Sequence, residues 1–133
     1  MGDFILLIDS DTRVPTNCLL DAVSKITNSP QVAILQYSSR VMNVTKSYFE
    51  NGITFFTNMV YTQIKYAIAN GDVTPFVRHN AILRWSILEA TISEDFDMAL
   101  RLQSASYLMR FGAYMGDGFK EGVSLTVYDE LAR

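Results

Sequence analysis

The sequence predicts an α/β fold built on a mainly parallel sheet, and three features of its 133 residues point there. The first is the unbroken apolar run Phe4-Ile5-Leu6-Leu7-Ile8, which ends in Asp9-Ser10-Asp11. Such a run reads as a strand buried on both faces whose C-terminal end opens into a loop, the place where parallel sheets bind ligands. The second is another apolar run, Val32-Ala33-Ile34-Leu35-Gln36-Tyr37, which reads as a second strand. The third is the amphipathic stretch between them, which makes the three segments one βαβ unit with a right-handed crossover.

Each element has its own signals. Pro15 and Thr16 can open the first helix, Leu19, Leu20, Val23 and Ile26 give it an apolar face, and Asn28-Ser29-Pro30 stops it. The longest helical pattern covers 46–70, with Phe49, Ile53, Phe56, Val60, Ile64 and Ala67 spaced by threes and fours and Asn70-Gly71 as a stop. Asn51, Thr54, Thr57, Asn58, Gln63 and Lys65 make it too polar to span a bilayer. It is expected to lie buried against the sheet, the sharper alternative being a surface that docks on a membrane or another subunit. A short strand or loop at 76–85 then enters a helical turn. Thr91 and Glu94 have the spacing of a capping box ahead of a helix through Gln103, and 107–115 reads as a further strand. No repeat or linker interrupts the chain, so 1–133 is taken as one unit.

Composition removes several classes of function. A net charge of −3 argues against sequence-independent nucleic-acid binding, which needs a basic stripe to displace counterions. A phosphate-bearing ligand would need a metal or a few placed cations. The single cysteine, Cys18, cannot form an internal disulfide and suits a reducing cytosolic setting. The start of the chain lacks the basic segment and cleavage site of a signal peptide, and no transmembrane segment is visible. The sequon Asn43-Val44-Thr45 has no consequence for a domain facing the cytosol.

Chemistry is concentrated in three places. Asp9 and Asp11, one residue apart at a strand end, lie on the same side of the backbone and can converge on an oxygen-preferring ion such as Mg²⁺ or Mn²⁺. Asp-Ser-Asp-Thr is also an ordinary turn sequence. Ser93-Glu94-Asp95-Phe96-Asp97 sets acidic residues at a helix N-terminus, either as a structural cap favoured by the helix dipole or with one carboxylate as a general base. Around His79-Asn80-Ala81-Ile82-Leu83-Arg84-Trp85, polar groups stand beside apolar anchors, which suits a sugar; a lone histidine is more often a structural hydrogen-bonder than a ligand, and no second histidine exists to build a zinc site.

Together these segments resemble the family 2 glycosyltransferases, above all the fungal members related to cellulose, chitin and hyaluronan synthases, along nearly the whole chain. Leu6-Leu7-Ile8-Asp9-Ser10-Asp11 is similar to the family's metal-binding Asp-x-Asp, and Ser93-Glu94-Asp95 to its Thr-Glu-Asp with Ser for Thr. The resemblance implies a GT-A fold with a Rossmann-like sheet. It also implies a Mn²⁺ or Mg²⁺ ion held by Asp11, with Asp9 supporting the ribose or the metal, and Asp95 as the base that deprotonates the acceptor. Glu94, His79 and Asn80 would serve acceptor binding, the turn Phe76-Val77-Arg78-His79-Asn80-Ala81 carrying Arg78 where the family usually has Gly. The segment from Gly118 to Arg133 resembles the approach to the family's Gln-x-x-Arg-Trp, with Glu130 for Gln and Arg133 in the place of the Arg that meets the diphosphate.

The partners implied are a nucleotide-diphosphate sugar and a glycan acceptor, with inversion at the anomeric carbon and polysaccharide as the product. The family's base-binding strand would precede Phe4 and its aromatic platform would follow Arg133. On that ground 1–133 is expected to be a partial catalytic domain with an incomplete sheet and little turnover alone, cytosolic, in a parent attached to the membrane through other parts.

Two rival readings remain. Ile8-Asp9-Ser10-Asp11-Thr12 also resembles the nucleophile motif of haloacid-dehalogenase-like phosphatases, with Asp9 attacking phosphorus, Asp11 as acid and base, and Gly116-Asp117-Gly118 with Glu121 as a metal loop. That family's lysine is missing before Gly116. The other rival is an inactive interaction module.

Overall fold

In the computed structural model, residues 2–69, 74–77, 79–88, 95–113 and 118–132 are described, with Leu88, Asp95 and Phe96 described by their backbone alone. The elements run β1 (Phe4–Leu7), α1 (Cys18–Thr27), β2 (Val32–Tyr37), β3 (Ser39–Val41), α2 (Tyr48–Ala69), β4 (Ala81–Arg84), α3 (Trp85–Leu88), α4 (Asp95–Ser104), β5 (Leu108–Gly112), β6 (Phe119–Glu121) and α5 (Val127–Leu131). A four-stranded sheet has the order β1-β4-β2-β5, and β3 pairs with β6 in a second sheet. β1, β2 and β5 share one direction while β4 runs against them, so the sheet is mainly parallel and the fold is α/β, consistent with part of a GT-A domain. β1 and β2 are not neighbours, because β4 is inserted between them.

Burial follows strand position. All six residues of β2 are buried, as a central strand covered on both faces requires. Val32, Leu35 and Tyr37 join Ile82 and Phe119 under α1, whereas Ala33 and Ile34 join Ala81, Leu83 and Met109 under α3 and α4. A register shift between Val32 and Ile34 places Ala33 with Ile34 on the α4 side. The expectation that the first strand is buried on both faces is corrected: Phe4–Leu7 are half-buried, because β1 lies at the edge of this sheet with β4 as its one neighbour in it.

Two helices also differ from their expected faces. α1 buries Cys18, Ala22 and Ile26, and leaves Leu19, Leu20 and Val23 exposed. The small side chains at 18 and 22 let the helix approach Val32, Leu35 and Tyr37, so size sets the face more than hydrophobicity does. α2 was expected to be buried against the sheet, yet its buried residues are Glu50 and Tyr61 and it packs on β3. A three-residue strand is too short to cover twenty-two helical residues, and Tyr48, Phe55, Phe56 and Tyr66 stay exposed. Among the described residues no helix is long and apolar enough to cross a membrane.

The second sheet positions the site. β3 and β6 pair in parallel through Ser39↔Phe119, Arg40↔Lys120 and Val41↔Glu121. The loop after β1 is tied to the same strand, since Arg13 and Lys120 exchange backbone hydrogen bonds of 2.7 and 3.0 Å. Tyr37 stacks on Phe119 at 5.0 Å between centroids and joins the two sheets. Gly112 makes room for this: a Cβ there would come within 2.7 Å of the Tyr37 ring.

Candidate active site

The loop after β1, the first half of α2, the turn before β4, the end of β6 and the last turn of α5 enclose a cavity of about 210 Å³. Asp9, Asp11, His79, Glu121 and Glu130 line it, together with Ile53, Phe56, Thr57, Gly122 and Val123. Asp9 and Asp11 thus open onto one space, beside the C-terminal end of β1. Asp9 starts a turn closed by the bond from Thr12 N to its carbonyl at 3.1 Å. Asp11 rests on Gly122, where a Cβ would stand 2.7 Å from the Asp11 carboxylate. The bare glycine backbone is what leaves that carboxylate its position.

His79 is presented by a turn clamped from behind. Gln36, fully buried at the end of β2, donates to the carbonyls of His79 at 2.8 Å and Asn80 at 3.4 Å, and accepts from Val77 N at 3.1 Å. Buried backbone groups need such partners, and one side-chain amide supplies donor and acceptor together. Asn80 sits at φ 53, in the left-handed region that asparagine tolerates better than most residues. It is fully buried, so of the two described residues among the three assigned to the acceptor side, His79 lines the cavity and Asn80 lies behind it.

A polar network backs the cavity. Glu121 Oε2 accepts from Tyr61 Oη at 3.2 Å and Asn80 Nδ2 at 3.3 Å, and lies 3.0 Å from His79 Nε2. Tyr61 Oη is also 3.0 Å from His79 Nε2, while His79 Nδ1 faces Asp9 Oδ2 at 3.7 Å. The bond to Glu121 raises the His79 pKa, burial opposes it, and the charges of Glu121, Asp9 and Asp11 reinforce the rise. Burial, followed by the charge of Glu121, pushes the Tyr61 phenol far up, so it stays a donor.

Other assigned residues are placed less fully. Asp95 begins α4, at a helix N-terminus as its sequence predicts, but its side chain lies outside the described residues. Glu94, Arg78 and Arg133 also lie outside them, as do Thr91 and, of the loop invoked for a phosphatase, Gly116 and Asp117. Glu130 reaches the cavity from α5, whose start is fixed by a capping box between Thr126 and Asp129.

Among the described residues no three His, Cys, Asp or Glu side chains cluster as a metal site. Two carboxylates on one wall nevertheless fit Mg²⁺ or Mn²⁺, which such sites bind through one or two carboxylates and complete with substrate phosphates and water.

Sequence reasoning gave no role in the site to Tyr61, Gln36 or Gly122, and gave Glu121 one only in the phosphatase reading. Gln36 did carry a signal, a polar residue closing an otherwise apolar strand. Tyr61 carried none, since a tyrosine on an amphipathic helix is ordinary.

No curated protein matches the chain. An acidic pair beside the end of the first strand of an α/β sheet is the arrangement expected of a sugar-nucleotide transferase, and residues 4–133 match the model of glycosyl transferase family group 2. The match covers nearly the whole sequence, and the chain belongs to this glycosyltransferase family.

Proposed function

We propose that this cavity is the donor and acceptor site of an inverting glycosyltransferase, which moves a sugar from a metal-bound nucleotide diphosphate to a glycan during polysaccharide synthesis. The observation that carries the reading is the sharing of one cavity by Asp9, Asp11 and His79 in a chain of this family. Asp11, with Asp9 beside it, would hold the divalent cation. When bound, that ion neutralises the charge building on the departing diphosphate.

The chain's own residues do the rest. Asp95, at the start of α4, takes the proton of the acceptor hydroxyl as that oxygen attacks the anomeric carbon. One displacement at carbon inverts the configuration. Glu94 and His79 orient the acceptor, Asn80 supports His79 from behind, and Arg133 meets the diphosphate. Resemblance to the cellulose, chitin and hyaluronan synthases supports a glycan product and a cytosolic site in a membrane-associated enzyme. The phosphatase alternative has no support from the family match.

Calorimetric titration with uridine-diphosphate sugars, with and without Mn²⁺, tests this directly. Binding should require the metal, and Asp11→Asn should weaken it about tenfold or more, the worth of about one charged contact. Metal-independent binding, or an Asp11→Asn variant that binds as well as the wild type, overturns the assignment.

A further inference from the structure

Glu121 has no part in the mechanism above, yet its surroundings are not those of a surface acid. Its side chain is 14% exposed, and a carboxylate so far removed from water must be matched by donors. One oxygen, Oε2, gathers them from two directions: Tyr61 from α2, and His79 with Asn80 from the turn before β4. On its far side the imidazole turns Nδ1 toward Asp9. A continuous line of contacts therefore runs from β6 through Glu121 and His79 to the acidic loop after β1, and it forms one wall of the cavity.

The turn that carries His79 is held twice, by separable means. Gln36 fixes its backbone through the carbonyls of His79 and Asn80 and the Val77 N–H. Glu121 touches only the side chains. The backbone clamp does not depend on Glu121, so loss of Glu121 should leave the turn in place and loosen the ring, with Tyr61 as the remaining partner of Nε2. We propose that Glu121 is a positioning residue: by collecting Tyr61, His79 and Asn80 on one oxygen it holds the imidazole against the Asp9 loop, setting the wall that receives a hydroxyl-rich acceptor. The identity of that ligand rests on the function proposed above; the positioning itself rests on the distances.

His79 is the chain's one histidine, so its ring signals are unambiguous in ¹H–¹⁵N spectra. At a fixed pH, Glu121→Gln should shift the Nε2 resonance clearly, Glu121→Ala further still, and Tyr61→Phe less than either, with the fold intact by backbone spectra. In transfer assays Glu121→Ala should raise the acceptor KM about tenfold, the scale of one hydrogen bond to a charged group, with kcat changed less and Mn²⁺-dependent donor affinity kept. Glu121→Gln, which retains an acceptor oxygen, should recover part of that loss. A lowered melting temperature with unmoved His79 signals in all three variants overturns the proposal, as does an unchanged acceptor KM in Glu121→Ala. Should the wild type show no metal-dependent donor binding while Glu121→Gln still moves the His79 signals, positioning is upheld and the ligand assignment alone falls.

Discussion

The four-stranded sheet and the platform formed by β3, β6 and α2 are held together by different forces. β2 and β4 bury apolar side chains on both faces, and the one charged side chain among them, Arg84, sits at the end of β4 over the Phe4 ring. The platform has two three-residue strands, a helix with two buried residues, and a set of hydrogen bonds centred on Glu121 and Glu50. Apolar packing is non-directional and tolerates small errors, whereas a desolvated carboxylate demands donors at defined places. The sheet therefore supplies stability and the platform supplies position. That division predicts mutations whose effects separate.

The largest expected effect falls on the site and spares the fold. In a form of the enzyme that turns over, Asp95→Asn should cut sugar transfer by about two to four orders of magnitude, the usual worth of a positioned base, while metal-dependent donor binding and the unfolding midpoint stay near wild type. Unchanged transfer would remove Asp95 from the mechanism. The opposite signature belongs to the sheet. Ile34→Ala opens a cavity in a strand sealed on both faces and should cost about 2–5 kcal/mol in urea unfolding. Phe55→Ala, on the exposed face of α2, should cost no more than about 0.5 kcal/mol. Equal costs at the two positions would mean that α2 is covered in solution, and the contrast between the regions would fail.

The same contrast explains what the sequence could reveal. β2 was legible residue for residue, because an apolar run bounded by turn residues leaves few alternatives. The α1 face was misjudged since periodicity counts hydrophobic residues and not their size, and Cys18 and Ala22 win by fitting under the sheet. β4 was foreseen as a strand or loop, but its place between β1 and β2 was not, because strand order depends on contacts distant in sequence. Asp9 and Asp11 were legible as a pair at a strand end. Their neighbours across the cavity were not: β3 and β6 are too short for a periodic signal, and Glu121 meets His79 across 42 positions of chain. Hydrogen-bond hubs drawn from several elements leave no local pattern to read.

A smaller loss should follow from Gly112→Ala in the seam between the regions. The added methyl would meet the ring of Tyr37, which is fully buried and stacked on Phe119, so neither ring can move aside cheaply. Overpacking of this kind costs about 1–3 kcal/mol. Denaturation midpoints read by tyrosine fluorescence would show it, and an unchanged midpoint would mean that the seam is loose.

The most narrowly confined effect, limited to acid pH, tests whether the platform depends on charge at all. Glu50 is fully buried at the start of α2, where its carboxylate accepts from the backbone N–H groups of Val44, Thr45 and Lys46 and from the Thr45 hydroxyl. Burial alone would raise its pKa, but these hydrogen bonds outweigh burial and hold the carboxyl below its ordinary value of 4.5. A folded pKa below the unfolded one means that unfolding takes up a proton in the window between them. The stabilisation is therefore complete above about pH 4.5 and fades as the pH falls through the lower folded value. Helix content and urea midpoints followed from pH 7 to pH 3 should show a loss in the wild type, confined to the acid end, that Glu50→Gln lacks, because the amide has no proton to gain. The variant should start lower at neutral pH, where it lacks the charge that three backbone N–H groups converge on, and the two curves should draw together in acid. Parallel curves across the whole range would show that Glu50 contributes by shape alone, and the platform would then obey the same rule as the sheet.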